Sequence, residues 1–441
     1  MEITLSPLPI PFLEVSERMK GYTVLARALC TSSDSCYAIP GYPVTELAAS
    51  ARANPVGAEK VALEYALGDS LSGRRAAVIM KNVGLNACAD PLVQATTQGL
   101  IGGVVIIAGD DPEADASTST LDSRYYGELA QVPVLEPDTD TCSLSVEAAF
   151  AASEEFSRIA ILRVTPDLLF GRVLPGEIQR GTGAGKLADP ALTMKGKAAQ
   201  ADSQIPAMFA WSRDSSLNRI TGGVAGVGAA AGDSRIVTVY PPPAGIAACT
   251  GVQEIGRPFV AGHRNLLPPG PGSTPETAER RGFYRTFCRG CPFLPVYAIL
   301  RQRGIRAIAD AGCTILAMNP PFRVAVASYG LGSSIGVAAQ STHVALIGDY
   351  ALLHSGLQSL VDVYEKGLPL LTIVFENRIM GMTGGQEAPA PGRYIEWAAP
   401  RSVSASDTRL LEELLIVPDE PVTLIVRGTC PEGRHHETVE C

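Results

Sequence analysis

The sequence predicts an α/β protein built from two doubly wound parallel sheets with a small, abbreviated middle region between them. Three observations carry that expectation. Across residues 21–175, short apolar runs alternate with longer runs of helical period, which is how a parallel sheet with helices on both faces reads. Across Val344–Gln386 the chain reads strand, turn, helix, strand, turn. Between these stretches, residues 176–284 are dominated by Gly, Ala and Pro, a composition that favours linkers over a packed core.

Taken in order, residues 1–20 read as a Pro-containing arm without period. The first sheet region opens at Gly21 with helix-like TVLARALCT, then YAIPGYPVTE, helix-like VALEYALGDSLSG and the strand RAAVIMK. Helical ADPLVQATTQGLI and the strands GGVVIIAGDD and RIAILRV complete it, and it is taken to end at residue 175. Within 176–284 only RIVTVYPPPAG offers a strand. GVAGVGAAAG has the look of a dinucleotide loop, but no acidic residue follows at the right distance after a strand. The last region, 285–441, holds FCRGCPFLPVYAILRQRG, a cysteine pair opening a helix. It continues with RAIADAGCTILA, a strand then a turn, and ASYGLGSSIGVAAQ, a Gly-rich loop entering a helix.

Composition narrows the function. A chain of 441 residues with 46% hydrophobic and 18% charged residues fits a compact enzyme with more than one core. A net charge of −9 without any basic run argues against a nucleic-acid surface. No apolar run is long enough to span a membrane, and the N-terminus lacks a basic segment followed by an apolar core. Ten cysteines without a secretory signal point to reduced thiols or cluster ligands. The expected location is the cytoplasm.

The chemistry concentrates at the ends of two strands. VALIG runs into Gly348-Asp349, and LPLLTIVFE runs into Asn377, 28 residues beyond Asp349. Between them lies a helix with Leu357, Leu360, Val361 and Tyr364 at helical spacing and Gly367 placed as its C-cap. Open α/β sheets bind ligands beyond the carboxyl ends of their strands. A carboxylate and a carboxamide oxygen there suit Mg2+, which takes few protein oxygens and fills its octahedron with phosphate and water. An Asp that merely caps the helix gives the same pattern. Glu59, just before VALEYALG, reads either as a functional acid or as a carboxylate favoured by its own helix N-terminus.

The Gly-Asp to Asn segment resembles the thiamine diphosphate signature. Its tail, NRIMGMTGGQ, is similar to the NRxxxMTGxQ run of indolepyruvate:ferredoxin oxidoreductase α subunits. GAEKVALEYALGDSLSGRRA resembles the pyrimidine-binding domain of thiamine diphosphate enzymes, with Glu59 before a helix and Gly68 nine residues later. MKNVGLNACADP, GDDP and DSRYY resemble the same α subunit in the same order, as do the AGC and GSSIGVAAQ elements. The resemblance covers about residues 20–170 and 285–430; the middle is weak.

That resemblance implies a pyrimidine-type domain over 21–175 and a diphosphate-type domain over 285–441. It implies thiamine diphosphate held by Mg2+ on Asp349, Asn377 and the Ile379 carbonyl, with Glu59 at the aminopyrimidine ring. Gly312, Cys313, Gly332, Ser333, Ser334, Gly348, His354, Met382 and Thr383 are the further cofactor contacts it implies. Amide groups at the Ser333–Ser334 helix start are expected to hold diphosphate oxygens. Glu59 and Asp349 are expected to face one cleft, within one chain or between two.

The activity implied is oxidative decarboxylation of an aryl-pyruvate-like 2-oxo acid, with the acyl group passed to coenzyme A and electrons to ferredoxin. A homodimer or a complex with a smaller oxidoreductase subunit is the expected assembly. Cys288, Cys291, Cys313 and Cys430 stand where the broader family places the four thiolates of a 4Fe-4S cluster. Buried structural cysteines and a redox or zinc CxxC are the other readings of the same residues.

Departures exist. Tyr350 stands where relatives have a small residue, GYPVTE is three residues shorter than GYPxTPSSE, and Pro292-Phe293 replaces Pro-His. The sequence carries no CxxCxxCxxxCP run, so it reads as a short form lacking the relatives' ferredoxin domain. A non-oxidative 2-oxo acid decarboxylase and a non-catalytic thiamine-fold subunit are the alternatives.

Overall fold

The computed structural model describes residues 18–112, 114–117, 121–215, 217, 239–240, 274–432 and 435–441. Most of the N-terminal arm, the GVAGVGAAAG run and most of RIVTVYPPPAG lie outside the described residues. Strands in chain order are β1 (Met19–Lys20), β2 (Ser35–Ala38), β3 (Asn54–Pro55), β4 (Ala76–Lys81), β5 (Val104–Gly109), β6 (Val134–Leu135), β7 (Ala160–Val164) and β8 (Arg172–Val173). They continue as β9 (Val239–Tyr240), β10 (Phe283–Cys288), β11 (Ile308–Ala309), β12 (Val344–Gly348), β13 (Leu370–Glu376), β14 (Arg401–Ser404), β15 (Pro421–Arg427) and β16 (His436–Glu440).

Two sheets dominate, as the alternating pattern predicts. The first runs β3-β2-β4-β5-β7-β6-β9, parallel throughout except for the β6–β9 pair. The second runs β11-β12-β13-β15-β14 and is entirely parallel. β5 and β13 are buried at every position, which is why VVIIAG and LLTIVFE read as unbroken apolar runs and not as alternating ones. A separate antiparallel pair, β10 with β16, sits beside the second sheet and sets Cys288 opposite His436.

The sequence reading missed several elements. Helix Cys142–Phe156 was not read from the pattern, although it buries Val146, Ala149, Phe150 and Phe156. Its CSLSVEAAFAASEEF is mostly small residues, and helical period is faint where Ala and Ser fill both faces. The two-residue strands β3 and β6 give no periodic signal at all. The Gly-rich start of the middle region is no free linker. Gly185 N–H donates to the Ile101 carbonyl at 2.8 Å, Ala188 N–H to Gln98 at 2.8 Å, and Gly181 N–H to the Glu147 carboxylate at 2.8 Å, pinning it along the first sheet's outer face. Among the described residues no helix is long and apolar enough to cross a membrane.

Helix Glu59–Leu71 joins the two halves. It is buried from Lys60 to Ser70, because it is sandwiched between its own sheet and the short, wholly buried helix Ser334–Ala339. The apolar cluster holding Val61, Leu67, Ile335, Val337, Leu360 and Val363 runs without a break through both halves. The approach is close at Gly68: a Cβ there would collide with the Val337 carbonyl oxygen and stand 2.8 Å from Gln340 Cβ. Polar pairs cross the same junction. Asp362 accepts from Gly57 N–H at 2.9 Å and Tyr65 hydroxyl at 2.8 Å, and Asp90 accepts from Leu331 N–H at 2.7 Å. Buried Glu64 accepts from Lys60 and from the Ser359 hydroxyl.

Since backbone cannot yield at Gly68, Gly68→Ala is expected to cost about 1–3 kcal/mol of stability, read as a lower urea midpoint. An unchanged midpoint would mean that the two helices are not in contact in solution.

Candidate active site

Asp349 follows β12 directly and begins a short helix, Asp349–Ala351, that passes through a π-helical turn, Leu352–Gly356, into helix Leu357–Glu365. Its carboxylate is 2% exposed and accepts three backbone N–H groups: Tyr350 at 2.8 Å, Arg378 at 2.7 Å and Asn377 at 3.2 Å. One side chain thereby clamps the carboxyl ends of β12 and β13. Burial pushes the Asp349 carboxyl up, while the three amides pull it down. The chain passes through the left-handed region at Arg378 (φ 61°), a conformation that non-glycine residues adopt at a cost. The bend sits where the two neighbouring amides, Asn377 and Arg378, are both aimed at Asp349.

The Asn377 carboxamide is fixed at both ends. Its oxygen accepts Ile379 N–H at 3.3 Å and its Nδ2 donates to Cys430 Sγ at 3.2 Å. Asp349, Asn377 and Ile379 therefore meet along one wall of a cavity of about 290 Å³. A carboxylate, a carboxamide oxygen and a backbone carbonyl form an all-oxygen donor set, which fits a hard cation such as Mg2+ that completes its shell from a phosphate ligand. Gly312, Cys313, Gly348, Met382 and Thr383 line the same cavity. The segment Ile379–Thr383 forms its mouth, with Met382 44% exposed.

Four thiols line the same cavity. Cys288, Cys291, Cys313 and Cys430, more than 140 residues apart in sequence at the extremes, all reach this one cavity among Phe287, Phe293, Tyr297 and Phe375. Burial and the neighbouring thiols push Cys291 up to about 11 and Cys313 up to about 12. Among the described residues no group of three or more His, Cys, Asp or Glu side chains is gathered to hold a metal ion. Cys288 ends strand β10 and Cys291 lies in the turn after it. Helix Leu294–Gln302 starts only three residues later, so the pair precedes the helix instead of opening it.

Sequence reasoning overlooked His436. It lines the cavity and places Nε2 3.7 Å from Cys313 Sγ, because β16 returns to pair with β10. A lone histidine near the end of a chain carries no local signal, and only the antiparallel pairing delivers it.

Other expected contacts fall elsewhere. Gly332, Ser333 and Ser334 do not line the cavity; only their neighbour Leu331 does. Their helix start already has its anion: Asp310, fully buried at the end of β11, accepts Gly332 N–H at 2.8 Å and Ser334 N–H at 3.1 Å. Burial holds the Asp310 carboxyl up at about 7, against the pull of those two amides. The helix start is therefore capped from within the protein, and the amides expected to hold diphosphate are occupied. His354 is exposed on the π-turn, its ring 5.7 Å from that of Tyr350, and it too lies off the cavity.

Glu59 also stands apart. It is half-buried in the first turn of its helix, with its side chain packed over Gly84. None of this cavity's lining residues precedes Phe287, so Glu59 does not line it. Among the described residues its carboxylate makes no hydrogen bond or ion pair, so the acid is open to a ligand.

Comparison with known proteins agrees with this geometry. Residues 310–403 match the thiamine pyrophosphate enzyme, C-terminal TPP binding domain. The indolepyruvate oxidoreductase subunit IorA of Methanothermobacter thermautotrophicus is 27% identical over 77% of this chain and 69% of its own length. That of Thermococcus kodakarensis is 26% identical over 85% of this chain and 76% of its own. In Pyrococcus abyssi the same subunit reaches 38% over 28% of this chain and 20% of its own. In fold, the chain is similar to a thiamine diphosphate-dependent 4-hydroxybenzoylformate decarboxylase from Rhodococcus jostii RHA1 (TM-score 0.55, 15% identity, covering 94% of this chain and 100% of that one). Residues 310–403 thus match a thiamine pyrophosphate-binding domain, and most of the chain is similar to the indolepyruvate oxidoreductase subunits IorA.

Proposed function

We propose that this chain is a thiamine diphosphate-dependent 2-oxo acid oxidoreductase acting on an aryl-pyruvate-like acid such as indolepyruvate. Electrons would leave to ferredoxin and the acyl group to coenzyme A. The observation that carries the reading is one cavity lined by both an oxygen donor set and four thiols. Bound thiamine diphosphate supplies a carbon nucleophile that takes up the electrons freed by decarboxylation. Asp349, Asn377 and the Ile379 carbonyl would hold Mg2+ against the diphosphate. The amides of the Gly312–Cys313 turn are better placed for phosphate oxygens than the capped Ser334 helix start, because they line the cavity. Aromatic and apolar side chains around them exclude water, which strengthens every electrostatic contact made inside. Glu59 would hold a proton at the aminopyrimidine ring. Because the cavity lacks it within a chain, a second copy or a smaller partner subunit would complete the site.

Cys288, Cys291, Cys313 and Cys430 would bind a 4Fe-4S cluster. Two of them are held protonated by burial and mutual repulsion, which is the cost that a cationic cluster core removes on binding. His436 stands beside Cys313 with Nε2 3.7 Å from its sulfur and, in the Nε2–H tautomer, would donate to it.

Asp349→Ala removes the charged cation ligand and is expected to weaken thiamine diphosphate binding by more than about 100-fold at fixed Mg2+, beyond what outer-sphere partners usually contribute. Calorimetry with unchanged affinity would reject the cation assignment. Glu59→Gln keeps the shape, so cofactor should remain bound while turnover drops about 10²- to 10⁴-fold; normal exchange of the thiazolium proton with solvent in that variant would remove Glu59 from the mechanism. Anaerobically reconstituted protein should contain about four irons per chain and lose them in Cys288→Ser. Active protein without iron would instead be a non-oxidative 2-oxo acid decarboxylase.

A further inference from the structure

The Glu59 carboxylate presents a physical question. A half-buried acid normally has its position fixed by hydrogen bonds, yet among the described residues this one has none. It lies against the start of a neighbouring helix. Glu59 lies in the first turn of its own helix and over the first residue, Gly84, of helix Gly84–Gln98. A Cβ built on Gly84 would stand 2.5 Å from Glu59 Cγ, 3.1 Å from Cδ and 3.0 Å from Oε1. All three of the nearest atoms belong to Glu59, so a side chain at position 84 would meet Glu59 first.

Gly84 does not need to be glycine for its own sake. Its φ is not in the left-handed region, unlike that of Gly99 at the other end of the helix. Glycine is not favoured over alanine by helix propensity, whose penalty of about 1 kcal/mol in a helix interior is the upper bound at this first position. What its missing side chain provides here is room for the Glu59 side chain. The positive end of a 15-residue helix lies beneath that side chain, an arrangement that attracts a carboxylate without donating a specific bond.

We infer that Gly84 is a positioning residue for Glu59: its missing side chain lets the acid lie flat against the helix start and present its free carboxylate to the cofactor. The inference rests on the proposed role of Glu59. A methyl group at position 84 would push a flexible side chain, not backbone, so the damage should pass into acid placement and spare the fold.

The test uses the full chain with thiamine diphosphate and Mg2+. Gly84→Ala is expected to keep or raise the melting temperature and to leave cofactor affinity within a few-fold of normal. Thiazolium proton exchange and kcat should fall by about 10- to 100-fold, since displacing a catalytic group by about 1 Å can cost that much, while KM changes little. In a Glu59→Gln background the same substitution should cost nothing further, because both act through one carboxylate. Normal exchange in Gly84→Ala, with exchange impaired in Glu59→Gln, would overturn the positioning role alone. Normal exchange in Glu59→Gln would overturn the reading of Glu59 itself. If Gly84→Ala melts lower, adding Glu59→Ala should restore the melting temperature by emptying the space; a penalty that persists there would mean that Gly84 serves another contact, and the inference fails.

Discussion

The close approach of two helix backbones at Gly68 is the constraint on which the rest of the structure depends. A helix flanked by sheet on one side and a second helix on the other must bury polar groups as well as apolar ones, since its sequence cannot be apolar all round. Glu64, Asp69 and Lys60 are the consequence, each buried. Glu64 is paired with Lys60 and the Ser359 hydroxyl, and Asp69 with Arg74 and the Tyr37 hydroxyl, the latter at 2.8 Å. Leaving one such group unpaired costs far more than the pair contributes. The junction thus tolerates one relative placement of the two sheets and few others. That placement also fixes where the start of the Glu59 helix stands relative to the rest of the molecule.

Much of this was legible in the sequence. Fully buried parallel strands announce themselves as apolar runs, so β4, β5, β7, β12 and β13 could be read directly. The Asp349 and Asn377 pair could be read because a parallel βαβ unit of ordinary length brings two strand ends together whatever its helix contains. What the sequence could not show was competition for the same donors. A Gly-Ser-rich helix start looks the same whether a phosphate or a protein carboxylate caps it. Asp310 takes that place through a fold-level contact 22 residues away from Gly332. His436 was hidden for a related reason: antiparallel return strands create neighbours that no local pattern encodes. Helix Cys142–Phe156 failed to show because small residues blur its period.

The separation of Glu59 from the Asp349 cavity bears on assembly. Both ends of the chemistry are present on one chain, yet each faces its own surroundings. In the proposed function the Glu59 carboxylate would meet the aminopyrimidine ring and the oxygen donors at Asp349 and Asn377 the cation on the diphosphate, so one cofactor would have to reach both. A second copy of the chain, or a partner subunit, would bring the two surfaces together at an interface.

Asn377 links the proposed cation ligands to the thiols. Its oxygen accepts Ile379 N–H at 3.3 Å and its nitrogen donates to Cys430 Sγ at 3.2 Å. An amide is polarised as a unit: drawing electron density toward a cation at the oxygen makes the N–H a stronger donor at the other end. In the function proposed here, loading of the oxygen site would strengthen the hydrogen bond to a cluster sulfur. Hydrogen bonds to the sulfurs are among the determinants of cluster potential. The direction follows from charge alone, since a stronger donor stabilises the more negative, reduced state. The same carboxamide that helps to hold the cofactor would then make its neighbouring cluster readier to accept an electron once the cofactor is in place.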